Sequence, residues 1–186
     1  TDDGTDFSVG IVGTIDNEGS YVSPQGIEPE QLFNNNTVVR QNEQALVVNV
    51  CDLESEDSRA VFKNINIDMR QYKRLRMFLH AQDDEYGFTD TNAERLVGFM
   101  RIGNDLNDNY YQIEVPLVKS PNGSLRREDV WPLENEINLS IDVLGKIKAE
   151  GIADGTLLNG EPVYYDVIGD EVIPVTNPLT GYVTGQ

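Results

Sequence analysis

The chain has 186 residues and a net charge of -18, with 32 Asp and Glu against 14 Lys and Arg. That balance repels phosphate backbones and anionic lipid heads, and so argues against nucleic acid or an acidic membrane surface as a partner. A hydrophobic content of 39% with 8% aromatics is sufficient for a packed core at this length, and it argues against wholesale disorder.

Residues 1–36 are punctuated by Gly, Pro, Asp and Asn. Phe7, Val9, Ile11 and Ile15 alternate and predict one strand in this N-terminal segment. The run from Ser23 to Asn36 reads as loop. From Gln41 the period becomes two. Leu46, Val48 and Val50 alternate with Val47, Asn49 and Cys51, which predicts a strand. Cys51 is the only cysteine, so no internal disulfide forms, and its strand setting predicts a buried structural thiol rather than a nucleophile. Asp52 to Ser58 is an acidic turn.

Two further strands follow in the pattern. Ile65, Ile67 and Met69 alternate with Asn66 and Asp68. Leu75, Met77, Leu79 and Ala81 then alternate with Arg74, Arg76, Phe78 and His80, giving one apolar face and one wet face. Phe78 on the wet face predicts a second contact there. Asp83 to Glu94 is a polar loop. Val97 to Ile102 and Tyr111 to Leu117 read as strands around the turn Asn104 to Asn109.

Lys119 to Asp129 is loop, and Ile137, Leu139 and Ile141 form another apolar face. A helix is predicted from about Ile141 to Glu150, with Val143, Leu144 and Ile147 on one side and Gly151 at its end. Val163 to Ile168 and Glu171 to Val175 flank Gly169-Asp170 as a hairpin. Many short strands with turn signals and one helix predict a mainly antiparallel all-β domain, a jelly-roll or galactose-binding-like β-sandwich. No apolar run approaches the roughly 20 residues that span a bilayer, and no signal-peptide pattern opens the chain at Thr1, which reads as a fragment or mature domain.

The chemistry-bearing residues point away from catalysis. His80 is the single histidine and lies on the wet strand face; no strained serine elbow accompanies it. Zinc-type Cys and His clusters and phosphate-binding glycine motifs are absent from the sequence. Carboxylates are too abundant for any pair to mark a glycosidase. Calcium is the one cofactor candidate: Asn104, Asp105, Asn107 and Asp108 gather hard oxygen ligands in one turn, as do Asp83, Asp84, Asp90 and Asn92 in another, without EF-hand spacing. The bland alternative is a solvated turn that uses Asn and Asp for their backbone tolerance.

Six of the 14 cations fall between Arg59 and Arg76: Arg59, Lys63, Arg70, Lys73, Arg74 and Arg76. They pair with neighbouring carboxylates or form a docking patch, with Lys73, Arg74 and Arg76 the protein-contact candidates. Tyr110, Tyr111, Trp131, Tyr164 and Tyr165 offer rings for stacking on a sugar, Tyr110 and Trp131 foremost, which keeps a carbohydrate-binding module open as an alternative.

The phrases RAVFKNINIDMRQYKRLRMFLHA (Arg59 to Ala81), MRIGNDLNDNYYQIEVPL (Met100 to Leu117) and VWPLENEINLSIDVLGKIKAE (Val130 to Glu150) resemble the SprA (Sov) family of gliding-motility proteins. QNEQALVVNV from Gln41 fits the same pattern, and VSPQGIEPE from Val22 fits it more loosely, so the resemblance covers roughly residues 22–150. The core of the likeness is 37–150. Cys51 and the acidic run from Glu54 to Asp57 depart from it. Residues 151–186 match poorly as a C-terminal hairpin and extension, so the last core strand is expected beyond Gln186 or on a separate fragment.

The resemblance implies the outer-membrane translocon of the type IX secretion system, with this chain as a soluble, non-enzymatic domain inserted between barrel strands. Its implied partners are the rest of the translocon polypeptide, other secretion components and secreted cargo, on the periplasmic or cell-surface side. The chain lacks the roughly 10-residue lipid-facing strands of a barrel wall. A structural spacer without ligand is the third reading.

Overall fold

The computed structural model describes residues 4–27, 31–34, 37–82, 96–158, 162–175 and 183–185. Packing divides the chain into two compact units, residues 1–66 with 123–130, and residues 67–122 with 131–186. Among the described residues the strands pair antiparallel, in one five-stranded and three two-stranded sheets.

In the first unit β1 (Asp6–Gly13) pairs with β4 (Gln44–Cys51), which sets Phe7 opposite Val50, Val9 opposite Val48 and Ile11 opposite Leu46. Opposed residues share a face, so these six form one apolar stripe. The closed end of the ribbon is tied by side chains. Asn42 Oδ1 accepts from the Thr14 hydroxyl and the Ile15 N–H, and Tyr21 donates to Glu43 Oε1 at 2.8 Å. Burial and that carboxylate both push the Tyr21 hydroxyl upward in pKa. Gly13 fits here because an added Cβ would meet the Glu43 carbonyl at 2.7 Å.

β2 (Gln31–Asn34) and β3 (Thr37–Arg40) form a second ribbon, so part of the predicted Ser23–Asn36 loop is strand. Cys51 corrects another expectation: it is exposed, because it ends β4 at a bend where Asp52 takes a positive φ of 56°. The strand expected through Ile65, Ile67 and Met69 is also absent. Residues 57–68 run without turn, bend or ladder, and Met69–Gln71 is a 3-10 turn in which Asp68 accepts from the Arg70 N–H.

The second unit is built around one core. β5 (Arg74–Met77) pairs with β8 (Ile137–Ser140). β6 (Val97–Gly103) and β7 (Tyr110–Pro116) form one hairpin, β9 (Val163–Ile168) and β10 (Glu171–Val175) another. β11 (Val183–Gly185) joins them, giving the order β10-β9-β11-β7-β6. A strand linking the two hairpins therefore lies within the chain. The short helix α1 (Arg127–Val130) of the first unit replaces the end of a predicted loop.

Helix α2 (Ile141–Ala153) leaves β8 without a break, and the Ile141 N–H donates to the Lys73 carbonyl at 3.0 Å. Val143, Leu144 and Ile147 bury one side of it against Ile113 of β7, Ile137 and Leu139 of β8 and Tyr165 of β9. Leu75, Met77, Leu79, Met100 and Val172 pack at the margin. Gly151 does not end the helix as its residue type predicts. It is buried one turn earlier, where a Cβ would lie 2.7 Å from Leu157 Cγ, and the helix closes when the Asp154 N–H donates to Glu150.

Ile147 is 1% exposed, whereas Ile173 in the same unit is 42% exposed. Ile147→Ala is expected to cost about 2–5 kcal/mol and Ile173→Ala under about 1 kcal/mol. Urea unfolding followed by tryptophan fluorescence checks this, because Trp131 reports on the same unit.

Candidate functional site

Two of the six cations of the basic stretch, Arg74 and Arg76, occupy the outward positions of β5. β5 pairs with β8, so both guanidinium groups reach across the ladder. Arg74 donates to the Asn138 side chain at 2.9 Å and to its carbonyl at 3.2 Å. Arg76 donates to Glu136 Oε1 at 2.7 Å, and the Glu136 side chain is only 7% exposed. Arg70 pairs with Asp68 at 2.8 Å and Arg59 with Asp57 at 3.8 Å. Pairing with local carboxylates, one of the two sequence readings, therefore accounts for three of the six cations. Lys63 and Lys73 are exposed, and neither makes an ion pair among the described residues.

An aromatic and cationic stripe continues from β5. The Arg76 guanidinium sits 4.9 Å from the centroid of Phe78. Phe78 meets Trp131 edge-on at 6.4 Å, and His80 meets Trp131 at 5.8 Å. The contact expected for Phe78 on the wet face is this one. His80 is exposed but lies past the end of β5, not within a strand. Its Nδ1 lies 3.1 Å from Ser120 Oγ and its Nε2 lies 3.2 Å from Gln82 Oε1. A ring protonated on Nε2 donates to Gln82 and accepts from the serine. Ser120 is 2% exposed, and the third group is a neutral amide rather than a carboxylate. Such an arrangement does not supply an accessible nucleophile or an oriented charge. It ties the segment after β5 to residues 118–120, reinforced by the Ser120 N–H on the Ala81 carbonyl. Buried Asn135 completes the tie by exchanging two hydrogen bonds with the Val118 backbone.

The two stacking candidates do not meet. Tyr110 holds the Arg101 guanidinium 4.0 Å above its ring, and Trp131 carries Phe78 and His80. Arg101 also reaches Gln112 Oε1 and the Leu106 carbonyl, which anchors the turn between β6 and β7.

That turn contains the calcium candidates Asn104, Asp105, Asn107 and Asp108. Asp105 Oδ1 accepts the N–H groups of Asn107, Asp108 and Asn109, and Oδ2 accepts from the Asn109 side chain at 2.6 Å. These bonds hold the Asp105 carboxyl well below the usual carboxylate range. A cation would have to displace them. Asn104, Asn107 and Asp108 are exposed around it. Among the described residues no group of three or more His, Cys, Asp or Glu is placed to hold a metal. Asp83, Asp84, Asp90 and Asn92 lie outside the described residues. The sequence signal for the self-capping turn was present in NDLNDN, since Asx residues bond the backbone two to four positions on.

The model of the family SprA_N, described as motility related/secretion protein, matches residues 2–179. The match extends on both sides of the 22–150 stretch whose wording carried the resemblance, into the C-terminal hairpin. No curated protein matches the chain. Among the described residues no helix is long and apolar enough to cross a membrane.

Because its folded pKa is depressed, Asp105 stabilises the turn above its unfolded pKa near 4, and the contribution disappears as pH falls through the lower folded value. Asp105→Ala is expected to lower the melting temperature at pH 7 by the same amount with chelator and with millimolar calcium. A loss seen only with calcium present would mean that a cation, not the backbone, is the partner.

Proposed function

The chain belongs to the SprA_N family of motility related/secretion proteins, and from that membership we propose that it is a non-catalytic domain of an outer-membrane translocon of the type IX secretion system. Its role is structural or protein-contacting, on the cell-surface or periplasmic side. The observation that carries this reading is the family match across residues 2–179. The geometry supports contact rather than chemistry: the polar side chains of the candidate region hold ladders, loops and turns together. The five-stranded sheet and the β5–β8 ribbon share one core, which fits a decorated sandwich of the jelly-roll kind. Partners in this reading are the rest of the translocon polypeptide, other secretion components and cargo.

Within the basic stretch the contact role moves to Lys73. Arg74 and Arg76 hold β8, whereas among the described residues Lys73 offers the fold only its backbone carbonyl. Lys73→Glu is expected to leave stability within about 0.5 kcal/mol of the parent while lowering protein secretion and gliding in a host carrying it in the native gene. Arg76→Glu is expected to lower the melting temperature instead, since it sets a second carboxylate against the mostly covered Glu136. Secretion assays and thermal melts of both variants separate the two roles. Removal of the whole domain with secretion and gliding intact would overturn the proposed function.

A further inference from the structure

Among the described residues, the first unit holds a two-stranded ribbon, β1–β4, and a segment with strand-like alternation that lies in no ladder. Among the described residues the β1–β4 ribbon has two open edges, and the stripe Phe7, Val9, Ile11, Leu46, Val48 and Val50 is largely uncovered, with Ile11 64% and Leu46 58% exposed. A two-stranded ribbon alone is marginal in water, and a third strand with an apolar face is the usual minimum. In the same unit, residues 60–66 run without turn or bend and, among the described residues, make no hydrogen bond or ion pair. Their side chains alternate as in a strand: Val61, Lys63 and Ile65 on one side, Phe62 and Asn64 on the other. Phe62 is 69% and Ile65 is 63% exposed. Unpaired backbone beside exposed β-branched side chains calls for another strand rather than for a lipid or a small ligand.

Charge selects the occupant. Residues 4–27 and 41–57, which contain the ribbon and its turns, carry Asp6, Asp16, Glu18, Glu43, Asp52, Glu54, Glu56 and Asp57 and no Lys or Arg. Residues 58–66 carry Arg59 and Lys63 and no carboxylate. The strand is therefore basic and the sheet that lacks one is acidic, and both are parts of every copy. We propose that the chain self-associates by strand exchange, residues 60–66 of one copy adding to an open edge of the β1–β4 ribbon of a second copy and the reverse. Val61, Lys63 and Ile65 then continue the face that carries the ribbon's stripe, and Lys63 joins a segment whose other charged residues are all acidic. The exchange is reciprocal and closes as a symmetric dimer. It goes beyond the secretion role and does not depend on it.

Light scattering and amide exchange on the 186-residue chain, across protein concentration, test this. The expected result is a mass that doubles with concentration while the amides of 60–66 slow by about tenfold or more, as for amides placed in a ladder. Asn64→Pro and Ile65→Pro remove a donor from either edge of the strand and are each expected to abolish the doubling; both sites are exposed and make no bond among the described residues, so the folded monomer survives. Leu46→Lys, on the exposed stripe, sets a cation against Lys63 and is expected to do the same. Mixing a proline variant with Leu46→Lys should restore a one-to-one complex through the single intact exchange. A monomer at every concentration, a dimer indifferent to the prolines, or protection of 60–66 that does not vary with concentration would each overturn the proposal.

Discussion

The larger unit depends on one buried contact, the side of α2 that carries Val143, Leu144 and Ile147. Its partners come from three directions: Ile113 from β7, Ile137 and Leu139 from β8, and Tyr165 from β9. β8 runs straight into α2, so the strand that pairs with β5 and the helix that covers the core are one rigid stretch. The Ile141 N–H on the Lys73 carbonyl fixes the start of α2 to the start of β5. The position of the basic residues on β5 thus follows from where α2 is packed. At the far end of α2, Gly151 accepts Leu157 where any Cβ would collide, and Lys146 reaches the Asp170 carbonyl at the β9–β10 turn.

The same economy of side chains governs the polar residues. In an acidic chain a cation has carboxylates near it by default, and exposed pairs of this sort contribute little to stability. Arg76 differs because its acceptor, Glu136, is mostly covered and because Phe78 lies under the guanidinium. Asp105 shows the converse: an acidic residue in a turn whose oxygens are taken by backbone donors before any ion arrives. A cluster of Asx residues in sequence therefore marks a capped turn and a cation site equally well until the direction of the carboxylate is known. His80 and Ser120 carry a related lesson. They are distant in sequence and meet in the fold, yet the buried serine and the neutral Gln82 make the pair a fastening.

What was legible in the sequence was what is local. The alternation of β1, β4, β6 and β7, the Gly-Asp turn between β9 and β10, and the one-sided stripe of α2 are properties of neighbouring residues, and each element appears near its expected place. The family wording was legible for a different reason, since long phrases such as KNINIDMRQYKRLRMFLHA carry more information than any spacing. β2 was hidden because Gln31 and Asn34 bound it and leave two apolar residues between them. β11 is three residues long and takes its place only because β7 and β9 leave a gap of one strand. Cys51 shows the limit of a two-residue period: the pattern says which side chains share a face, but not whether that face is covered. In the β1–β4 ribbon it is not.

That limit explains the residues from 60 to 66. Alternation of Val61, Ile65 and Ile67 expresses a preference for a strand, and a preference does not supply a ladder. Pairing is non-local, so a segment with full strand character and no neighbour keeps its backbone donors and acceptors in water. Water satisfies those groups, which is why the segment is tolerated. It does not cover Phe62, Val61 or Ile65, and it does not cover the stripe on β1 and β4. Natural sheets guard such edges with bulges, prolines or charges pointed inward. Here Lys63 is the one charged residue within the stretch, and residues 4–27 and 41–57 carry Asp and Glu and no Lys or Arg. A guard that repels its own kind while being drawn to the exposed acidic ribbon leaves the edge selective rather than closed.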